Sequence, residues 1–257
     1  MNEDAIDAAA MRLKHKGGLR DASKLWDAAD GEFQRFEALV AERSKGRPIS
    51  QLIGYRDFWK DRFTVTSDVL DPRPETEHLV EEVLKQAGAT KILELGTGSG
   101  CIALSLARDL PDTAITAVDI SYDALAVAKS NSRALGLTKR VDWIQSDWFS
   151  RVKGRFDIIV SNPPYIAEGD FADLSEEVRD FEPKIALAAG EDGLEAYRSI
   201  LTKASEYLSG HGRIYFEHGF SQAKQLRALA SAMGFERISL VQDLSGHDRV
   251  SIYQKKL

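Results

Sequence analysis

The stretch with the clearest chemical content is the short loop Asn162, Pro163, Pro164 and Tyr165, which follows the apolar run Phe156–Ser161. Prolines have a fixed φ and no N–H, so the loop is stiff and its carbonyl groups can point into a pocket without competing donors. The side-chain oxygen of Asn162 and the carbonyl oxygen of Pro163 can accept both hydrogens of a planar N–H2 group, and Tyr165 can stack on it. This arrangement orients a weakly nucleophilic, conjugated nitrogen for attack on an electrophile.

A second chemical signal is a glycine-rich turn after another apolar run. Its residues are Gly96, Thr97, Gly98, Ser99 and Gly100, with Glu94 just before them. Glycine permits positive φ and close approach of the backbone to a ligand, and a following helix offers free N–H groups. In dinucleotide enzymes such a turn holds a pyrophosphate. The Glu94 carboxylate would repel a pyrophosphate but suits the positive amino and sulfonium groups of S-adenosylmethionine.

Three further residues lie just after predicted strands or at their ends, where they could contact the ribose and the adenine of S-adenosylmethionine. Asp119 comes nineteen positions after Gly100, and an acid about 20 residues beyond the glycines can bind two ribose hydroxyls. Asp147 can accept a hydrogen bond from the adenine amino group, and Trp148 can pack on the ring. The alternatives are that Asp119 caps the next helix and that Trp148, like Phe149, is a core aromatic.

These residues need a scaffold that brings strand ends together. Strands are predicted at Lys91–Leu95, Ala114–Asp119, Val141–Ser146, Phe156–Ser161, Gly212–Glu217, Phe235–Val241 and Val250–Gln254. Helices are predicted at Ser99–Arg108, Ser121–Ala134, Glu191–Leu208 and Ser221–Ala232. Alternating strands and helices predict a parallel, doubly wound α/β sheet. The loop before the last strand is too short for a helical crossover, so the final two strands should pair antiparallel. A seven-stranded, mostly parallel sheet of this kind is the Rossmann-like architecture of class I S-adenosylmethionine-dependent methyltransferases.

The first 74 residues show a different pattern of predicted elements from the rest of the chain. Large apolar residues fall at helical spacing there, namely Leu25, Trp26, Phe33, Phe36, Leu39 and Val40, so residues 1–50 are expected to form a small helical region. Arg56–Val65 is predicted to be a β-hairpin within a hairpin and linker spanning 51–74. The main domain is expected over 75–257, opening with a helix that starts at Glu75 or Thr76 and ends near Ala87.

Composition narrows the class of protein. The chain has 257 residues, 43% hydrophobic and 29% charged, with net charge −6, one cysteine and five scattered histidines. These values fit an ordinary globular protein without a disulfide, and neither a metal site nor a large nucleic-acid surface is expected. No apolar run reaches the roughly 18 residues of a membrane span, and the acidic N-terminus lacks a signal-peptide pattern. A cytoplasmic monomer is expected.

Longer motifs resemble those of the N5-glutamine methyltransferases of peptide chain release factors. They are Arg47–Gly54, Pro72–Glu77, Asn162–Ile166, Phe181–Pro183 with Ala186, Leu187 and Gly190–Gly193, and Phe216–Gly219. The resemblance covers roughly residues 45–257. It implies that Gly96–Gly100, Asp119, Trp148 and Asn162 bind S-adenosylmethionine, which leaves as S-adenosylhomocysteine, and that Asn162–Tyr165 binds the glutamine of a Gly-Gly-Gln loop. It also implies that the N-terminal region docks a release factor.

Several alternatives stay open at this point. A ribosomal-protein glutamine methyltransferase would have the same chemistry. A nucleic-acid adenine N6-methyltransferase would use the same Asn-Pro-Pro-Tyr loop to hold a planar nitrogen. Such an enzyme usually needs a basic face or an added recognition domain. A third alternative is a catalytically silent S-adenosylmethionine-binding partner protein, and the intact Gly96, Gly98, Gly100, Asp119 and Asn162 argue against it. Arg73 and Glu75 are open to interpretation as a surface ion pair of little energetic weight.

Overall fold

The computed structural model describes residues 2–256. Its helices are Asn2–Arg12 (α1), Gly18–Ala28 (α2), Phe33–Ser44 (α3), Ile49–Ile53 (α4), Glu77–Leu84 (α5), Cys101–Asp109 (α6), Tyr122–Ala134 (α7), Glu176–Phe181 (α8), Glu195–Tyr207 (α9) and Ala223–Ala232 (α10). Its strands are Tyr55–Phe58 (β1), Asp61–Thr64 (β2), Lys91–Leu95 (β3), Ala114–Asp119 (β4), Val141–Gln145 (β5), Phe156–Ser161 (β6), Leu208–Glu217 (β7), Phe235–Gln242 (β8) and Asp248–Lys255 (β9). Short 3-10 turns lie at Pro74–Thr76, Glu168–Asp173 and Lys184–Ala186.

The main sheet has seven strands in the order β5-β4-β3-β6-β7-β9-β8. Strands β3 to β7 run parallel, whereas β9 is antiparallel to both β7 and β8. The predicted class I methyltransferase sheet and its antiparallel final hairpin are therefore confirmed. The chain builds β4 and β5 on one side of β3 and then crosses to β6 on the other, which creates a topological switch point between β3 and β6.

The strands around the switch point are apolar because helices cover both faces of the sheet. Ile92, Leu93 and Leu95 of β3 are almost completely buried, as are Ile158 and Val160 of β6. Alternating residues of these strands enter two separate hydrophobic clusters, one on each face. The rigid central strands thus fix the positions of the loops that leave their carboxyl ends.

The N-terminal helices α1–α4 have a small core of their own, which includes Leu13, Leu25, Phe36 and Val40. The predicted helical region is present, although Phe33 is 56% exposed and does not join this core. An ion pair that is almost fully buried also joins α2 to α3. The Nε of Arg43 donates to the carboxylate of Asp21 at 2.9 Å.

The hairpin β1–β2 and the linker pack against the main domain. Phe58 and Phe63 of the hairpin enter the core beneath the sheet, and the side chain of Asn131 bonds to both the N–H and the carbonyl of Thr64. The first helix of the domain, α5, begins at Glu77, since a 3-10 turn occupies Pro74–Thr76, and it ends at Leu84, before the predicted Ala87. This turn brings Thr76 beside the switch point.

Helix α9 begins at Glu195, four residues later than predicted, because Gly193 adopts a positive φ of 73° that a helix cannot include. Sequence patterns gave no element between Ile166 and Gly190. The structure contains the short helix α8 and two 3-10 turns there. Among residues 2–256, no helix is long and apolar enough to cross a membrane.

Candidate active site

A cavity opens at the switch point, above the carboxyl ends of the central strands. Its wall brings together most of the residues singled out in the sequence, namely Gly96, Thr97, Gly98, Ser99, Asp119, Asp147, Trp148, Asn162 and Pro164. Residues that the sequence patterns did not single out complete the wall, including Asp68, Leu70, Ile185, Ala188, Glu195 and Ser199, together with Thr76 of the Pro72–Glu77 motif. The predicted residues at the carboxyl ends of β3, β4, β5 and β6 therefore line one continuous cavity.

The glycine turn presents backbone to this cavity. The N–H groups of Gly96 and Thr97 donate to the carbonyl of Val118 at 2.9 and 3.0 Å, which pins the turn to β4. Gly98 has a φ of 55°, and a Cβ added there would meet no heavy atom within 4 Å. The backbone on the cavity side is therefore bare, as close approach of a ligand requires.

Two residues of the predicted cofactor set lie beneath the wall rather than in it. Glu94 is 1% exposed, and its carboxylate accepts hydrogen bonds from the Thr97 hydroxyl and the Ala103 N–H. Burial raises the pKa of Glu94 to about 8. Gly100 packs so tightly that an added Cβ would lie 3.0 Å from the Trp143 ring. In this structure both residues support the turn from below.

Asp119 reaches the cavity from the end of β4. Its carboxylate accepts hydrogen bonds from the N–H groups of Gly98 and Ser121 at 2.8 and 2.9 Å. Burial raises the pKa of this carboxyl group, and the backbone hydrogen bonds partly oppose that rise. The cap of helix α7 is Ser121, whose hydroxyl accepts from the Ala124 N–H. Asp119 therefore links the glycine turn to the β4–α7 loop and does not cap the helix itself.

Trp148 and Phe149 separate into different environments. Trp148 has a positive φ of 45° and lies in the cavity wall, where its ring is the nearest neighbour of a Cβ built at Gly96. Phe149 is buried and stacks on Tyr207 with ring centroids 4.5 Å apart. Phe149 lies within the core, whereas the half-buried Trp148 packs against that core and also lines the cavity.

A second cavity adjoins the first at Asn162, which lines both. Pro163 and Tyr165 line this second cavity, called the acceptor groove below, while Pro164 faces the first cavity. Burial raises the pKa of Tyr165 to about 12, so its hydroxyl stays neutral. The loop after β6 thus separates the two cavities, and the Asn162 side chain stands where they meet.

A glutamine that the sequence patterns did not single out holds this loop in place. The side chain of Gln222 donates to the carbonyl groups of Tyr165 and Gly193 and accepts from the Gly219 N–H. Ile166, which follows Tyr165 in the chain, forms backbone hydrogen bonds with Leu187 and Ala189. Gln222 lies next to the Phe216–Gly219 motif, but nothing in its spacing marked it because two of its three partners, Tyr165 and Gly193, are distant in the chain.

Arg73 of the linker pairs with Glu182 and not with Glu75, the partner considered from the sequence. The guanidinium of Arg73 contacts both carboxylate oxygens of Glu182 at 2.6 and 2.7 Å, and the Glu182 side chain is 1% exposed. The interpretation of Arg73 and Glu75 as a surface ion pair is therefore wrong. Because Arg73 lines both cavities, this pair fastens the linker to the segment that closes the other side of the site.

The fold and site define a class I methyltransferase, and comparison with known proteins agrees. The methyltransferase small domain model matches residues 66–178. A methyltransferase from Pyrococcus furiosus has the same fold, with a TM-score of 0.57 and 19% identity over 76% of this chain and 89% of that one.

Two relatives named release factor glutamine methyltransferase are much closer in sequence. That of Cereibacter sphaeroides is 48% identical over 84% of this chain and 77% of its own length. That of Shewanella oneidensis is 43% identical over 86% of this chain and 78% of its own length. The chain belongs to the release factor glutamine methyltransferase family.

Proposed function

We propose that this protein transfers a methyl group from S-adenosylmethionine to the side-chain amide nitrogen of a glutamine in a peptide chain release factor. The observation that carries this proposal is the position of Asn162, at the junction of a glycine-lined cavity and a groove bounded by Pro163 and Tyr165. The names of the close relatives and the motifs around this loop support glutamine over a nucleic-acid base.

The first cavity has the chemical groups that S-adenosylmethionine requires. The bare backbone at Gly98 can accommodate the methionine part, and the fixed carboxylate of Asp119 can accept hydrogen bonds from the ribose hydroxyls. Asp147 and the Trp148 ring are the partners proposed for adenine. When bound, the cofactor supplies a sulfonium methyl group, which is already a good electrophile.

The protein must also orient the glutamine amide nitrogen toward the methyl group. The lone pair of an amide nitrogen is conjugated with its carbonyl, so the nitrogen is a poor nucleophile. The Asn162 side-chain oxygen and the Pro163 carbonyl accept its two hydrogens, which orients the nitrogen and stabilises the positive charge that develops there. With the cofactor bound, transfer would form the C–N bond as the C–S bond breaks, and the methylated nitrogen would then lose one proton to solvent.

Helices α1–α4 are proposed to dock the release factor around its methylated loop. Contacts between this region and the groove support this role. Lys16 lies 3.4 Å from Glu176, and the side-chain amide of Gln51 donates to the Phe181 carbonyl at 3.0 Å. Both partners lie on α8, whose Val178 lines the acceptor groove. A protein bound across these helices would be held next to the site.

The proposal is tested by methyl transfer with purified components. The protein is incubated with methyl-tritiated S-adenosylmethionine and a purified bacterial release factor, and the modified residue is located by mass spectrometry. Label should appear on one glutamine and disappear when that glutamine is replaced by alanine. DNA, RNA and ribosomal proteins are offered in parallel. Label that appears only in one of these and not in the release factor would contradict the proposal.

A further inference from the structure

The acceptor groove is larger than the glutamine side chain that it is proposed to receive. Its volume is about 630 Å³, within the range of roughly 300–1,000 Å³ that is typical of sites for drug-sized ligands. A glutamine side chain whose amide lies at Asn162 would fill only part of this volume. The rest of the groove has room for the polypeptide on either side of that glutamine.

A polypeptide that enters a groove loses water from its main-chain groups. A buried carbonyl or N–H group without a new partner costs free energy comparable to a lost hydrogen bond. Leu174, Val178 and Phe220 line the groove, and none of these side chains can donate a hydrogen bond. The carbonyl groups of the bound segment therefore need a donor elsewhere in the groove.

Arg249 of β9 can supply such donors. It lines the acceptor groove but not the first cavity. Its Nε donates to the carboxylate of Asp243 at 2.9 Å, whereas its Nη1 and Nη2 atoms form no hydrogen bond within residues 2–256. The positive charge of Arg249 also acts on Tyr165, where it opposes the burial that raises the pKa of that phenol. The unused N–H groups of Arg249 therefore lie beside the acceptor loop.

Asp243 fixes the direction of this guanidinium group. Its carboxylate also accepts hydrogen bonds from the N–H groups of Ser245 and His247, in the loop between β8 and β9. The hydrogen bonds from Arg249 and from these N–H groups lower the pKa of Asp243 to about 2. The charge of Asp243 compensates that of Arg249, so the pair suits a neutral carbonyl group better than an anion.

We propose that Arg249 is a substrate-binding residue, which donates hydrogen bonds to main-chain carbonyl groups of the polypeptide beside the target glutamine. Asp243 is a positioning residue that holds the Arg249 side chain in place. The carbonyl of the glutamine side chain is a poorer partner, because a hydrogen bond there would draw the nitrogen lone pair further into conjugation. This inference rests on the proposed function, since it concerns the same site.

Phe220 adds an apolar surface next to these donors. It is 62% exposed and lines the groove, and its ring lies against His247 with ring centroids 5.4 Å apart. The side chains of the substrate segment can pack on Phe220 while its main chain bonds to Arg249. The β8–β9 hairpin would then bind the polypeptide, while the loop after β6 holds the reacting nitrogen.

The test compares four variants of the full-length protein. Arg249→Met removes the donors and keeps an unbranched side chain, Arg249→Lys keeps the charge, and Asp243→Asn removes the charge that holds Arg249. Arg237→Met is the matched control, because Arg237 is also a half-buried arginine of this hairpin. It donates to the Ala223 carbonyl and lines neither of the two cavities described. Methyl transfer to the release factor gives kcat and KM, and calorimetry gives the affinity for S-adenosylhomocysteine.

Arg249→Met should raise KM for the release factor by about 10- to 100-fold, the effect of losing hydrogen bonds from a charged donor. Its kcat should stay within about threefold of wild type, because the lost contacts bind ground state and transition state equally. Arg249→Lys and Asp243→Asn should lie between the wild type and Arg249→Met. KM in Arg237→Met and the affinity of every variant for S-adenosylhomocysteine should resemble those of the wild type.

A second measurement tests whether main-chain carbonyl groups are the partners. The probe is a capped peptide centred on Gly-Gly-Gln, in which each amide beside the glutamine is replaced in turn by an ester, whose carbonyl is a weaker acceptor. Binding is followed by NMR titration in the presence of S-adenosylhomocysteine. At least one ester should weaken binding to the wild type by about 3- to 10-fold. The same ester should have little effect on binding to Arg249→Met.

An unchanged KM in Arg249→Met, or an equal rise in Arg237→Met, would overturn the inference. A peptide that does not bind the wild type, or an ester effect that persists in Arg249→Met, would also overturn it. A wild type that binds the peptide but methylates no release factor is a different result, since it contradicts the proposed function. The ester comparison still tests the role of Arg249 in that case, because it needs no methyl transfer.

Discussion

At the scale of single residues, Asn162 has different partners at the two ends of its amide. Its nitrogen is held by Thr76 from within the protein, and its oxygen is left for the substrate. The Asn-Pro-Pro-Tyr sequence predicts the substrate-facing part of this arrangement, because prolines stiffen the loop. The inward-facing part depends on residues far away in the chain, so no local spacing predicts it.

Replacement of Asn162 by alanine should remove the side-chain oxygen that accepts a hydrogen bond from the substrate nitrogen. The glycine turn of the cofactor cavity should keep its conformation. We expect Asn162→Ala to lower kcat by about 100-fold or more, which is typical for loss of one preorganised hydrogen bond in a transition state. The affinity for S-adenosylhomocysteine should stay within about threefold of wild type, because Asn162 acts on the substrate nitrogen. Steady-state kinetics and calorimetry measure these two effects separately. Turnover at the wild-type rate would exclude Asn162 from the chemistry.

Asp119 should act on binding instead. Asp119→Ala should weaken the binding of S-adenosylhomocysteine by about 1–3 kcal/mol through the loss of hydrogen bonds to a charged group. Part of this loss would come from the Gly98 N–H, which also bonds to Asp119. Asp123→Ala is the control, since Asp123 is an exposed acid in the first turn of α7. Equal affinities of the two variants by calorimetry would reject a ribose-binding role for Asp119.

The buried carboxyl group of Glu94 should make stability depend on pH. Its folded pKa of about 8 lies above its ordinary value of 4.5. The stabilisation is therefore fully present below about pH 4.5 and is lost as the pH rises through about 8. In Glu94→Gln, the decline of unfolding free energy over this range should be shallower by up to about 1 kcal/mol per pH unit. Urea denaturation at several pH values measures the slope, with exposed Glu236→Gln as the control. An unchanged slope in Glu94→Gln would show that Glu94 ionises normally.

At the scale of elements, sequence periodicity predicted the central sheet best. The bounds of β3, β4 and β6 agree with the prediction because these strands are continuous apolar runs between turn residues. The segment from Ile166 to Gly190 could not be predicted in this way. Its short turns are fixed by distant partners, such as Arg73 on Glu182 and Gln51 on Phe181. Closure of the acceptor groove is therefore a tertiary property.

The junction of β3 and α6 offers a test of glycine packing. Gly100 has a φ of 82°, and an added Cβ would lie 3.0 to 3.3 Å from Trp143, Ala128 and Leu104. Gly136 has a similar φ of 70° but no heavy atom within 4 Å of an added Cβ. Both alanine variants carry the backbone strain of about 1–2 kcal/mol, and Gly100→Ala adds overpacking of about 1–3 kcal/mol. Urea denaturation should therefore find Gly100→Ala the less stable of the two. Equal stability would mean that the neighbours move aside freely.

At the scale of the whole molecule, the N-terminal helices are connected to the active site by polar contacts with α8. The Nη1 of Arg43 donates to Glu177 on α8 at 3.1 Å, while its Nε bonds to Asp21. Helix α8 then contributes Val178 to the acceptor groove. One arginine therefore joins the internal core of the N-terminal region to the wall of the groove. Sequence periodicity predicted the helices but not this connection, since the Arg43–Glu177 pair spans 134 residues.

Removal of this arginine should affect both stability and substrate use. Arg43→Met leaves the Asp21 carboxylate, which is 0% exposed, without its buried partner, and breaking such a pair costs about 3–5 kcal/mol. Arg35→Met is the control, because the Arg35–Asp30 pair is largely exposed and contributes less than about 1 kcal/mol. The double variant Asp21→Asn/Arg43→Met should recover part of the stability, since it removes a buried carboxylate whose remaining partner would be the exposed Arg20. If the helices dock the release factor, kcat/KM for that substrate should stay low in the double variant while S-adenosylhomocysteine binding is normal. Recovery of kcat/KM along with stability would instead mean that the contact between Arg43 and α8 has no role in substrate use.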